Sequence, residues 1–424
     1  PMKNLGIIVV DEEHDLSFKQ MEKFRYSARD MALYRAKLEK IPVVLASATP
    51  SLETLKNVKE EKYKVLKLNK RATGANLPTY HAVDLKGKEL HEGLSKELLE
   101  ATQTELDKGN QVLIFLNRRG YAPSMICKAC GWISNCDRCD ALMTVHKNPL
   151  KLHCHHCEAQ KPYPSKCPSC GSDDFLTYGF GTERVEEFLR GHFPDTKTLR
   201  IDSDSTRKKE SLNEYFDEIK KGEPIILLGT QLLAKGHHFP NVTLVGIIDA
   251  DSGLFSADFR GSERVAQLMT QVAGRAGRDK KPGRVILQSY CLDHPQIEEI
   301  ITGSYEKFAK KLLEERKSYK IPPFSFQAKI FAESQKSLVS RDFILKLLNQ
   351  SKIEKQISSN VRIVGPLPSI MEKKSGVYRW ELSIFSSSRS NLHKFLDVMQ
   401  SRLYEPKLTK QVRWSIDVDP LSSI

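Results

Sequence analysis

Eight of the nine cysteines lie between Cys127 and Cys170, in four Cys-x-x-Cys pairs. The spacing runs Cys127-x2-Cys130-x5-Cys136-x2-Cys139-x14-Cys154-x2-Cys157-x9-Cys167-x2-Cys170. Each pair offers two thiolates from one tight turn, and two pairs complete a tetrahedral site with no open position. In a chain without a secretion signal this pattern means metal rather than disulfides, so two structural Zn²⁺ per chain are expected. Spacing alone leaves the pairing open. A nested arrangement is geometrically easy, with Cys136, Cys139, Cys154 and Cys157 inside and Cys127, Cys130, Cys167 and Cys170 outside. His153, His155 and His156 are rival ligands; with eight thiols at hand they read as surface groups or as neighbours of the ligands. A segment of 44 residues is too small for a good apolar core, so metal must supply on the order of 10 kcal/mol of folding free energy per site.

A second concentration of chemistry follows the apolar run Leu5 to Val10, which reads as a parallel strand covered on both faces and leads into Asp11-Glu12-Glu13-His14. Ligands of open α/β sheets gather at the carboxyl ends of such strands. An Asp there can hold Mg²⁺ through water, and a neighbouring Glu can orient or deprotonate an attacking water. A charged loop after a strand is the plain alternative. Val43-Val44-Leu45 is a second short strand, tipped by Ala46-Ser47-Ala48-Thr49-Pro50, whose hydroxyls can bridge two sites by hydrogen bonds. Between them Phe18, Phe24 and Tyr26 alternate with Lys19, Lys23 and Arg25, and aromatic faces stack on bases while cations hold phosphates. Far along the chain comes Gln271-Val272-Ala273-Gly274-Arg275-Ala276-Gly277-Arg278. Two arginines spaced by glycines after an amphipathic run suit reaching across a cleft to a phosphate. The acidic tetrad and these arginines are expected to face each other across a nucleotide-sized gap.

The elements that must position these groups form an α/β pattern. Gln111–Leu116, Pro224–Leu228, Val242–Ile248 and Arg284–Gln288 read as buried strands. Ser51, Ser95 and Thr182 read as helix caps, the last with Val185, Phe188 and Leu189 inward. Gly179-Phe180-Gly181 is not a dinucleotide fingerprint, because Arg184 stands where the third glycine belongs. Beyond Pro322-Pro323, strand-like runs at 325–331 and 378–385 alternate with helices near 337–350 and 390–403. With 424 residues and a net charge of +13, the chain is a multidomain soluble protein by composition. Residues 305–424 hold 15 Lys and 7 Arg against 12 acids, leaving +10 there, which suggests a polyanionic partner. No apolar run reaches 18 residues, so no membrane span is expected, and the cytoplasm is the default. Cys291, apart from the rest, reads as a small buried residue.

Taken together the motifs resemble superfamily 2 helicases, and within them the PriA family of primosomal replication-restart helicases. DEEH at 11–14, SATP at 47–50, GTQLLAKGHHFPNVTLVGIIDAD at 229–251 and QVAGRAGR at 271–278 look like helicase motifs II, III, V and VI. The eight-cysteine insertion is that family's distinguishing mark. The resemblance implies an α/β fold of RecA-like lobes, the first incomplete, with a two-zinc cysteine-rich insertion and a small α+β C-terminal domain. Its segments would be a lobe 1 remnant at 1–75, lobe 2 at 76–126 and 171–302, the insertion at 127–170 and a basic DNA-binding domain at 303–424.

By the same resemblance Asp11 would hold Mg²⁺, Glu12 would be the catalytic base, and Arg275 and Arg278 would contact the γ-phosphate of ATP. His14 would join them, with Ser47, Thr49 and Gln271 coupling hydrolysis to movement. Phe18, Lys19, Phe24, Arg25 and Tyr26 would meet nucleic acid. The activity implied is 3′→5′ DNA unwinding at abandoned forks, by a monomer working with single-stranded-DNA-binding protein and other primosome proteins to reload the replicative helicase. No G-x-x-x-x-G-K-[ST] occurs, so the chain reads as a piece lacking the phosphate loop. By itself it is expected neither to bind ATP tightly nor to unwind DNA; DNA-stimulated ATP turnover by the purified 424 residues would overturn that. The rival reading is a non-catalytic, zinc-stabilised module that binds DNA and proteins.

Overall fold

The computed structural model describes the chain apart from residues 1, 3, 69–76, 117–123, 128, 131, 139–142, 148–149, 155–158, 179–181, 203–208, 231–238, 249, 254–257, 278–280, 303, 352–359, 405–410 and 422–424. It divides into two units, each assembled from separated stretches. One comprises Pro1–Tyr63, Pro123–Tyr178 and Leu312–Ile424; the other Lys64–Ala122 and Gly179–Lys311. Among the described residues no helix is long and apolar enough to cross a membrane.

The second unit is built on a six-stranded sheet. Its order is Lys197–Ile201, Ile225–Gly229, Gln111–Leu116, Val242–Ile248, Arg284–Ser289 and Thr79–Asp84, and every pairing is parallel. Gln111–Leu116, Ile225–Gly229 and Val242–Ile248 are buried at every position, which is why they read as unbroken apolar runs rather than alternating ones. Helices Lys96–Asp107 and Thr182–His192 supply Leu98, Leu106, Val185 and Leu189 to the core beneath them. Close packing there requires a glycine. A Cβ on Gly246 would stand 2.7 Å from Leu98 Cδ1. Ser95 caps its helix by accepting the Leu98 N–H at 3.3 Å. Thr182 does not cap; it is the first helical residue, and its hydroxyl donates to Asp202 Oδ2 at 2.9 Å.

The first unit has three parts. Ile8–Val10 and Val43–Leu45 pair in parallel as a two-stranded sheet, with helix Ala28–Glu39 following the first strand. The expectation that this strand is covered on both faces is not met: Ile7 is 51% and Val9 59% exposed, because the sheet has only two strands. Helix Ala28–Glu39 likewise leaves Met31, Tyr34 and Leu38 exposed. The cysteine-rich part is a five-stranded meander ordered Gln160–Pro162, Leu150–His153, Thr144–Lys147, Ser124–Cys127 and Phe175–Tyr178. The C-terminal part is a four-stranded antiparallel sheet ordered Arg362–Lys374, Val377–Ser386, Phe326–Ser334 and Arg413–Val418. Helices Ser337–Ser351 and Arg389–Leu403 pack on it through Phe343, Ile344, Leu347, Phe395 and Met399.

Candidate functional site

The acidic tetrad begins where strand Ile8–Val10 ends, and it is wired to the tip of the adjacent strand. The Ala46 N–H donates to the Val10 carbonyl at 2.9 Å, and the Glu13 N–H to the Ala46 carbonyl at 3.1 Å. Asp11 is exposed and accepts the Glu12 N–H at 2.9 Å. Glu12 takes a left-handed φ of 49°, uncommon for a residue with a Cβ. His14 Nδ1 and Ser47 Oγ share a hydrogen bond of 2.8 Å, and Glu12 Oε2 lies 3.7 Å from the same nitrogen. Ser47 Oγ also accepts the Thr49 N–H at 2.9 Å. Glu12, His14, Ser47 and Thr49 thus form one connected polar group spanning both strand tips.

Sequence reasoning passed over Glu13, the most buried of the four at 2% exposure. Its Oε1 accepts the Ser51 N–H at 2.7 Å, while Oε2 accepts from Ser51 Oγ at 3.1 Å and Arg29 Nη1 at 3.0 Å. Burial works against the Arg29 charge, yet Asp30 and Glu13 outweigh it and hold the guanidinium more firmly protonated than usual. Ser51 is also the cap of helix Leu52–Lys59, so Glu13 fixes that helix to the tetrad. An acidic residue beside three candidates, with an arginine 16 positions on, was the only signal available.

The segment after the tetrad exposes some of its aromatic residues and cations and buries others. Phe24 is 82% exposed and Tyr26 44% exposed. Phe18 is half-buried. Lys19 is buried, ion-paired with Asp417 at 2.8 Å, and Arg25 lies over the Phe331 ring at 5.4 Å. Lys19 and Arg25 are thus engaged within the protein rather than held out to a phosphate, whereas Lys23 is exposed.

In the second unit, helix Gly261–Ala273 leads to Gly274 and Arg275. Gln271 is half-buried near the helix end and Arg275 is 4% exposed; Arg278 lies outside the described residues. Gly277 turns the chain with φ +59°, and a Cβ there would meet the Gly283 nitrogen at 2.3 Å, so no other residue fits. Its N–H donates to the Val242 carbonyl at 2.9 Å. Asp251 accepts from the Ser289 hydroxyl and, at 2.8 Å, from the Tyr290 N–H. The tetrad and Arg275 therefore belong to different units.

Four thiols converge. The Sγ atoms of Cys127, Cys130, Cys167 and Cys170 all lie within 4.8 Å of one another, with Cys127–Cys170 at 3.6 Å and Cys130–Cys167 at 3.7 Å. A tetrahedron with Zn–S bonds of ~2.3 Å has sulfur–sulfur edges of about 3.8 Å, so the set fits that ion. Turn N–H groups already point at the sulfurs, as Ser169 does at Cys167. Burial opposes ionisation of Cys127, but the N–H groups of Cys130 and Ala129 outweigh it and bring the thiol down to about 7. The Ser172 N–H favours the Cys170 thiolate, yet the thiols of Cys130, Cys127 and Cys167, with burial, push it up to about 12. Clustered thiols cannot all ionise unaided; a dication removes the conflict. Cys136 and Cys154 are buried together in the meander's core with Met125, Met143 and Leu152, and Cys136 Sγ accepts the Arg138 N–H at 3.4 Å. Cys139 and Cys157 lie outside the described residues, as do His155 and His156. His153 is buried at 4% exposure, and Cys291 is half-buried.

Comparison with known proteins agrees with this architecture. Residues 317–421 match the primosomal protein N C-terminal domain, residues 136–162 the PriA DNA helicase Cys-rich region, and residues 172–280 the helicase conserved C-terminal domain. The chain is 47% identical over 417 residues to the replication restart protein PriA of Haemophilus influenzae, covering 98% of this chain and 57% of that protein. It is 42% identical to the protein of that name from Rickettsia conorii, over 100% of this chain and 64% of the relative. With that from Bacillus subtilis the identity is 37%, over 99% and 52%. The chain thus spans between about half and two thirds of the length of these relatives, with helicase, cysteine-rich and C-terminal segments all represented, and it belongs to the PriA family of replication restart proteins.

Proposed function

We propose that these residues form part of an ATP-dependent, 3′→5′ DNA helicase that acts in replication restart. The observation that carries the reading is the connected group Glu12–His14–Ser47–Thr49 at the carboxyl ends of two paired parallel strands. A base for water, tied through an imidazole to the next strand's hydroxyls, is what coupling hydrolysis to movement needs. Asp11, exposed beside it, is a hard oxygen donor suited to Mg²⁺, which would neutralise charge on the β- and γ-phosphates of ATP. Arg275 and Arg278 would meet the γ-phosphate, with Gln271 coupling that contact to movement. Two Zn²⁺ would hold the meander, one on Cys127, Cys130, Cys167 and Cys170 and one on Cys136, Cys139, Cys154 and Cys157. Stalled forks, single-stranded DNA, single-stranded-DNA-binding protein and other primosome proteins would be the partners.

The decisive experiment joins this chain to a lobe carrying the missing phosphate loop and compares Glu12→Gln with the parent protein. DNA-stimulated ATP hydrolysis should fall by about two orders of magnitude or more while DNA affinity holds. Equal turnover in the two proteins would refute the assignment. For the 424 residues alone, the absence of any G-x-x-x-x-G-K-[ST] favours a second reading, a zinc-stabilised module that grips DNA and proteins without turnover.

A further inference from the structure

The segment between the acidic tetrad and helix Ala28–Glu39 closes on itself and is then fastened at its base. Lys19 and Ser27 form an antiparallel bridge, and the Gln20 N–H donates to the Tyr26 carbonyl at 2.8 Å, leaving residues 21–25 as a tip. Phe24 on the tip and Tyr26 at its edge are exposed, with their rings 6.1 Å apart. The base is sealed. Lys19 Nζ pairs with Asp417 at 2.8 Å and donates to the carbonyls of Val418 at 2.7 Å and Asp419 at 3.3 Å. The side chains of Lys19 and Asp417 are 3% and 1% exposed. Beside them Arg25 lies over Phe331, on the strand adjacent to the one that carries Asp417. A buried ion pair is a weak source of net stability, because dehydrating both ions offsets most of the attraction. It is a strong means of location, since either ion alone is stranded. The root of this loop is continuous with His14, and its base is held by the C-terminal sheet.

We infer that Asp417 is a positioning residue: by holding Lys19 it sets the loop so that Phe24 and Tyr26 stand as a stacking platform for single-stranded nucleic acid. The C-terminal sheet then lies on the route between a bound strand and the acidic tetrad. The link rests on geometry alone; the nature of the strand rests on the function proposed above.

The test uses the whole 424-residue chain as Lys19→Met, Asp417→Asn, Lys19→Arg and the double variant Lys19→Met/Asp417→Asn. Amide hydrogen exchange over residues 16–26 and binding of a short oligothymidylate are measured. Each of the two neutralising variants should speed exchange about tenfold or more and weaken oligothymidylate binding about fivefold, with zinc content unchanged. Lys19→Arg should retain most of both properties. The double variant should be no looser than either single change, as expected for two ends of one contact. Wild-type exchange in Asp417→Asn, or additive loosening in the double variant, would overturn the link. Loosening without any change in oligothymidylate affinity would overturn the positioning role. Should a stranded charge unfold a single variant, the double variant, which leaves no charge behind, makes the same comparison with the parent. If no form binds oligothymidylate, the functional reading fails, while the exchange rates still decide the link.

Discussion

Glu13 shows how a residue's surroundings, rather than its type, separate structure from chemistry. Asp11 is exposed and Glu12 half-buried beside His14, whereas Glu13 turns inward to Ser51 and Arg29. Glu13→Ala should cost about 2 kcal/mol, because the buried Ser51 N–H loses its acceptor while Arg29 keeps Asp30 and Ser51; urea unfolding of the chain measures it. Glu12→Gln should leave that unfolding unchanged to within about 0.5 kcal/mol. Gly277→Ala is expected to destabilise by more than about 1 kcal/mol, since φ is positive and the Gly283 backbone occupies the space a methyl needs. The sequence made Asp11, Glu12 and His14 legible because their order after an apolar run is informative by itself. Glu13, Arg29 and the Lys19–Asp417 pair were not, because what defines them is a partner, and nothing in local spacing names a partner 398 positions away.

At the level of elements, legibility followed burial. The strands Gln111–Leu116, Ile225–Gly229 and Val242–Ile248 could be read as apolar runs because they are covered on both faces. Thr79–Asp84 and Arg413–Val418 went unread since each lies at a sheet edge with much of its surface exposed. Arg362–Lys374 was further disguised by Gly365, Pro366 and Pro368, which an edge strand tolerates and which coincide with its register shifts. Between Arg284–Ser289 and Pro322 the chain forms two helices, Pro295–Thr302 and Tyr305–Ser318. For the cysteine-rich meander, Cys167→Ser should remove close to one zinc per chain by elemental analysis and leave the second. Protons compete with metal for thiolates, so affinity is greatest at alkaline pH and declines on acidification. Zinc release to a chromogenic chelator should therefore grow as pH falls, not as it rises.

For the molecule as a whole, charge and connectivity matter more than any one contact. Because +10 of the net charge of +13 sits in residues 305–424, oligonucleotide affinity should drop steeply with added salt through counterion release; titrations at several salt concentrations that gave one Kd would exclude phosphate contacts. The fold class could be read from the order of motifs, whereas the assembly of one unit from three distant stretches could not, since composition records no adjacency. The pairing of Ser124 with Tyr178 and of Cys127 with Phe175 brings the two ends of the cysteine-rich part side by side. A polypeptide that departs at one point and comes back to the same point leaves its host undisturbed. The intervening stretch could therefore be excised and its ends rejoined by a tight hairpin, or exchanged for another ribbon, without asking the parallel strands that precede and follow it in sequence to re-register. Lineages would be free to lengthen, shorten or retune this appendage at little cost to the parallel sheet whose sequence it interrupts.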